Sequence, residues 1–261
     1  MSESLVLVRD VGPVRWLTLN RPDKRNALSA DLIRSLRAEL RDTGDARALA
    51  ITGAEPVFSA GADLAGLQAL QGASREENLA DSLNIADLFQ SIAEHPLPVI
   101  AAVNGHAIAG GAGLAIACDF AVAVRGAKFG FSEVRIGFVP AIVMNFLLRA
   151  VGENVARALC ITGRLEPMED ARRLGLVQML VEPGDLESAV AAIGAEIAAA
   201  SPEAIARTKA LFLRLRTLPL RQGLRVAAEE NAEARGTDEC REGVAAFLEK
   251  RKPNWTPPEN L

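Results

Sequence analysis

Val99-Ile100-Ala101-Ala102-Val103-Asn104-Gly105-His106-Ala107-Ile108-Ala109-Gly110-Gly111-Ala112-Gly113-Leu114-Ala115-Ile116-Ala117-Cys118-Asp119-Phe120-Ala121-Val122-Ala123-Val124 is nearly all apolar or glycine. By length alone it could cross a bilayer. Asn104, His106 and Asp119 interrupt it, and glycines stand at 105, 110, 111 and 113. Charge and glycine at such positions make a membrane span costly. The stretch reads instead as a strand over 99–103, a break at Asn104-Gly105, a buried helix over 112–117 and a second strand over 119–124. Strand, turn, helix and strand in that order belong to an α/β fold.

The same alternation extends in both directions. Leu5–Val8 and Val14–Leu19 are β-rich runs joined by a short polar loop, which predicts a hairpin. Ser29 is placed to cap a helix whose Leu32, Ile33, Leu36 and Leu40 share one face. Ala46–Thr52 reads as a buried strand ending at Gly53, and Phe58–Leu64 as a small-residue turn into a helix. A helix over 76–94 stops at His95-Pro96-Leu97-Pro98, because proline cannot continue it. Helices are predicted over 153–162 and 167–173, and a strand over 176–181. Beyond Leu186 only helices are expected, one of them opened by Ser201-Pro202. This divides the chain into a core of residues 1–185 and a helical region of residues 186–261. In that region Leu211, Leu215 and Leu218, and again Val244, Phe247 and Leu248, recur at helical spacing. Periodicity alone favours packing of these side chains onto the chain's own core, with a subunit interface as the alternative.

The 261 residues carry a net charge of −4, with 49% hydrophobic and 24% charged residues. This is globular composition, and it argues against nucleic acid or an anionic membrane as the main partner. A small anionic ligand needs only a local cluster of Lys and Arg. Cys118, Cys160 and Cys240 lie far apart with no C-x-x-C, which fits a reducing compartment and a cytoplasmic location. Met1-Ser2-Glu3-Ser4 lacks the basic start of a signal peptide.

Several chemistries fail on their motifs. After Gly111 and Gly113 a dinucleotide fingerprint needs a third glycine where Ile116 stands. No phosphate-loop pattern or metal-ligand spacing occurs. A Ser–His–Asp site would have to use His106, since His95 is wedged between Glu94 and Pro96. Two small-residue turns remain, Gly61-Ala62 and Ala109-Gly110-Gly111, each following an apolar strand and opening a helix. Helix starts leave backbone N–H groups free, and glycine admits a close acceptor. Two such turns facing each other would aim two donors at one oxygen, as an oxyanion hole does. Tight helix–strand packing would ask for the same residues. Glu133, between Phe131 and Val134, is a candidate proton carrier, because apolar surroundings raise a carboxyl pKa. A solvated glutamate or a partner of Arg135 is the plainer alternative.

The order of the pieces resembles the enoyl-CoA hydratase/isomerase (crotonase) family. The matching segments are Leu19-Asn20-Arg21-Pro22 with Asn26-Ala27-Leu28, then Thr52-Gly53, Phe58–Leu64 and Ala101–Gly105. Gly110-Gly111, Cys118-Asp119, Phe129-Gly130, Ser132-Glu133, Gly137, Pro140, Leu159, Thr162-Gly163 and Ala171 with Gly175-Leu176-Val177 follow. The resemblance implies a spiral of ββα units and a C-terminal helical region that joins trimers, often paired into hexamers, and completes the active site. It implies an acyl-CoA thioester whose carbonyl oxygen lies between the N–H groups of Ala62 and Gly110. Lys24, Arg25, Ala27, Ala60, Asp63, Leu64 and Ala65 would line the CoA. No metal or redox cofactor is implied, because CoA belongs to the substrate.

Hydratases of the family commonly set two glutamates over the double bond. The second matches Glu133; the first matches Gly113, so that carboxylate is missing here. The run Ala141-Ile142-Val143-Met144 is apolar where many hydratases are glycine-rich, which would reshape the acyl pocket. The resemblance points to an enoyl-CoA hydratase of fatty-acid metabolism, with a Δ3,Δ2-enoyl-CoA isomerase as alternative, since one base suffices to move a proton between carbons. A non-catalytic acyl-CoA-binding protein is the alternative of a different class.

Overall fold

The structure, a computed structural model, describes residues 4–255; the opening Met1–Glu3, where no signal peptide is expected, lies outside them. β1 (Val6–Val11) and β2 (Val14–Leu19) form the expected antiparallel hairpin. α1 (Ala30–Glu39) starts where Ser29 accepts a hydrogen bond from Leu32 N, and buries Leu32, Ile33 and Leu36. β3 (Ala48–Gly53) is buried along its whole length, as a central parallel strand must be. α2 (Leu64–Ala69) is capped by Asp63, and α3 (Arg75–Ala93) opens with a capping box between Ser74 and Glu77.

The deciding stretch folds as β4 (Val99–Val103), a two-residue strand β5 (Ala107–Ile108), α4 (Gly110–Ala117) and β6 (Phe120–Val124). α4 is hydrophobic all round because it is enclosed by the core. Among the described residues no single helix is long and apolar enough to cross a membrane. β7 (Lys128–Gly130) follows, then a 3-10 turn over Glu133–Ile136. α5 (Ala141–Thr162) is broken at Gly152, whose φ of 73° is not helical. The helix expected from residue 153 is therefore only its second half. β8 (Leu165–Pro167), α6 (Met168–Arg173) and β9 (Met179–Val181) complete this part.

The main sheet runs β1-β2-β3-β4-β6-β9 and is parallel apart from the hairpin at its edge. A second sheet, β5-β7-β8, stands beside it. Its strands are two and three residues long, below the length at which alternation can be read. The boundary expected at residue 185 falls in the turn Pro183–Asp185. α7 (Leu186–Ala199), just past it, packs on β3, β4 and β6. α8 (Pro202–Leu215) is capped by Ser201 and joined to the sheet end by the Lys209–Asp119 ion pair. α9 (Leu220–Ala234) rests on α8, and α10 (Asp238–Leu248) closes the described chain. Packing onto the chain's own core does not account for Val244, Phe247 and Leu248, because all three are exposed and Phe247 is 84% so.

Candidate active site

Two turns meet between the sheets. The first, Ser59-Ala60-Gly61-Ala62, is held from below by Asn26, which is fully buried. Its amide donates to Ala54 O (2.7 Å) and Val57 O (2.8 Å), and its Oδ1 accepts from Arg21 N. Ser59 Oγ donates to Asn26 O at 2.8 Å and accepts from Gly61 N. Arg21 donates to Ala27 O and forms an ion pair with Asp63 at 2.9 Å. Burial alone would raise the Asp63 carboxyl; hydrogen bonding and charge from Arg21 more than offset this and hold it below the usual carboxylate range. Asp63 thus fixes the residue next to Ala62 while capping α2.

The second turn carries strain. Ala109 sits at φ 53°, ψ −124°, a conformation that non-glycine residues rarely adopt and that costs about 1–3 kcal/mol. Its N–H donates to Gly130 O at 2.7 Å, so the small sheet holds it in place. The next residue, Gly110, begins α4. A methyl carbon built on Gly110 would lie 3.6 Å from Ala62 N. Among the described residues, neither Ala62 N nor Gly110 N donates to a protein acceptor. Two unpaired amide donors, one of them opening a helix, therefore stand side by side.

Ala62 and Gly110 line a cavity of about 540 Å³. Lys24, Arg25, Ala27, Ala60, Asp63, Leu64 and Ala65 line it too, all from the segments expected around CoA. Glu133 reaches the same cavity from the 3-10 turn. It is only 8% exposed, its Oε2 has no hydrogen-bond partner among the described residues, and the Arg135 side chain lies against Gly163. Burial pushes its carboxyl above the ordinary glutamate range.

Gly113 is not among the residues lining the cavity. A methyl carbon there would lie 2.2 Å from Val143 Cγ1 and 2.9 Å from Phe89 Cε2. The position is filled by hydrocarbon from two other helices. The histidines stand apart: His95 is buried with Nε2 on Leu40 O, and His106 accepts from Lys128 N. Ser82, Ile85 and Phe89 of α3 also line the cavity and were not anticipated. Their i, i+3, i+7 spacing is the signal that marks them as one helix face.

Residues 12–258 match the enoyl-CoA hydratase/isomerase family. A Thermus thermophilus protein named "Putative enoyl-CoA hydratase" is 43% identical over 94% of this chain and 98% of its own. One from Rhizobium meliloti, named "Probable enoyl-CoA hydratase", is 38% identical over 98% and 99%. The crystal structure of a Mycobacterium smegmatis enoyl-CoA hydratase superposes with a TM-score of 0.90 at 34% identity, covering 98% of this chain and 100% of that one. The α/β architecture is the crotonase fold, and the chain belongs to the enoyl-CoA hydratase/isomerase family.

Proposed function

We propose that the protein adds water across the double bond of a 2-enoyl-CoA thioester. The observation that carries this reading is one cavity in which a buried carboxyl, Glu133, whose Oε2 has no partner among the described residues, accompanies two backbone donors, Ala62 N and Gly110 N, that donate to no described acceptor. The names of the relatives support it. In this reading the thioester oxygen accepts from both amides. Glu133 takes a proton from water as the water oxygen bonds to Cβ. The double-bond electrons run to the thioester oxygen as an enolate, and Glu133 then returns the proton to Cα. Preorganised donors of this kind are worth roughly 3–4 kcal/mol each. Lys24 and Arg25 meet the phosphates of CoA as point charge and fork. CoA enters as part of the substrate, and no other cofactor takes part. The exposed apolar side chains of α9 and α10, such as Leu220, Leu224 and Phe247, serve as contacts between copies in a homotrimer or a hexamer.

A second reading, Δ3,Δ2-enoyl-CoA isomerisation, is favoured by the filled space at Gly113. Val143 and Phe89 leave no room there for another acid or base. Crotonyl-CoA and a 3-enoyl-CoA, followed side by side through the absorbance of the conjugated thioester, separate the two. Loss of absorbance with crotonyl-CoA supports hydration; gain with the 3-enoyl-CoA alone supports isomerisation. Binding of both with turnover of neither would make the protein a non-catalytic acyl-CoA binder.

A further inference from the structure

Among the described residues the cations that line the cavity, Lys24 and Arg25, stand together at one end. Lys24 and Arg25 belong to the loop that bonds to Ala60 through Arg25 O. The other end is built by α3, the 3-10 turn with the loop after it, and α5. It presents Ile85, Phe89, Ile136, Phe138, Ile142 and Val143. Ser82 and Ser132 add neutral hydroxyls there, and among the described residues Glu133 is the one ionisable side chain at that end. Arg135, the cation nearest in sequence, packs against Gly163 at the end of α5 and does not line the cavity. The wall at Val143 and Phe89 is closed, as the lack of space at Gly113 shows.

An acyl group that ended in a carboxylate would carry that charge into this hydrocarbon end. It would lose its water without gaining a cation, and it would share the space with the carboxyl of Glu133. Both terms are unfavourable. A plain hydrocarbon chain would meet contacts of its own kind and gain by burial.

Resting on the enoyl-CoA reading above, we propose that this site accepts uncharged hydrocarbon acyl groups, refuses acyl groups ending in a carboxylate, and owes this choice to Ile142 and Val143. Ile142 is half-buried and lines both this cavity and the groove that Asn145 and Arg149 line.

The test compares 2-hexenoyl-CoA with glutaconyl-CoA on the full chain, with products identified by mass. The expected result is a kcat/KM for hexenoyl-CoA higher by at least about 100-fold, the scale on which a site rejects a buried group left unpaired. Ile142→Arg should narrow that ratio by about tenfold or more by placing a cation at the hydrocarbon end. Conversion of glutaconyl-CoA within about tenfold of hexenoyl-CoA by the unaltered chain overturns the proposal and leaves the enoyl-CoA reading standing. If neither is converted, calorimetry with hexanoyl-CoA and glutaryl-CoA decides. Preference for hexanoyl-CoA keeps the choice of acyl group and removes the hydration reading, whereas binding of neither removes both.

Discussion

Gly61 and Gly110 approach so closely that a methyl carbon on Gly61 would sit 2.7 Å from the backbone nitrogen of Gly110. Gly61 also holds φ at 89°, where side chains are strained. The two unpaired amides share one location because two chain segments, far apart in sequence, both give up their side chains there.

Gly61→Ala should therefore separate the amides. We expect kcat to fall by about 100-fold or more, the scale of losing one such donor. Circular dichroism should stay close to that of the unaltered protein, because the damage is local. A variant with undiminished kcat would show that the paired amides do not hold the reacting oxygen.

Glu133→Gln keeps shape and removes the proton carrier. Turnover should disappear while acyl-CoA binding, read by calorimetry, persists. Near-normal turnover would refute the role given to Glu133.

The same substitution has an opposite effect on stability. The folded carboxyl titrates above its unfolded value, so the native state holds the proton longer than the unfolded state. The contribution of Glu133 to stability must then decline as pH rises from about 4.3 toward the folded value, and level off above it. Glu133→Gln lacks this decline. Thermal unfolding of both proteins between about pH 4 and pH 8 should show the variant gaining relative to the unaltered chain over that window. A gap that stays constant with pH contradicts the burial assigned to Glu133.

Asp63 behaves in the reverse sense. Its folded value is depressed, so its contribution is present above the unfolded pKa near 3.9 and is lost as pH falls through the folded value. Asp63→Asn should cost about 1–2 kcal/mol at neutral pH, since the Arg21 pair is largely shielded, with side chains 18% and 19% exposed. Denaturant titrations below about pH 4 should show that difference shrinking. KM should rise as well, because the pair anchors the residue beside Ala62.

Gly113→Ala should destabilise by about 1–3 kcal/mol through overpacking against Val143 and Phe89. Adding Val143→Ala removes the obstructing methyls, so the double variant should lose less than the sum of the two single changes. Strict additivity in urea unfolding would deny the contact.

Much of the fold is legible because local chemistry and tertiary packing agree. Ser29 caps α1, Pro96 and Pro98 follow the end of α3, and the apolar runs at 48–53 and 99–103 are buried strands. The two donor turns could be marked from glycine and alanine alone. Other features depend on contacts between distant segments. The first half of α5 begins after Pro140 without a capping side chain, so nothing local announces it. The small sheet is shorter than any periodic signal. The contact of Gly113 with Val143 and Phe89 joins three helices, and no spacing in the sequence records it.

A cavity in which Glu133 is the candidate proton carrier constrains geometry as well as rate. If that group both receives the proton of water and returns one to carbon, each transfer happens on the side of the planar enoyl group that it faces. In deuterium oxide the new C–D bond and the new C–O bond would then lie on the same side of the former double bond, giving a single diastereomer.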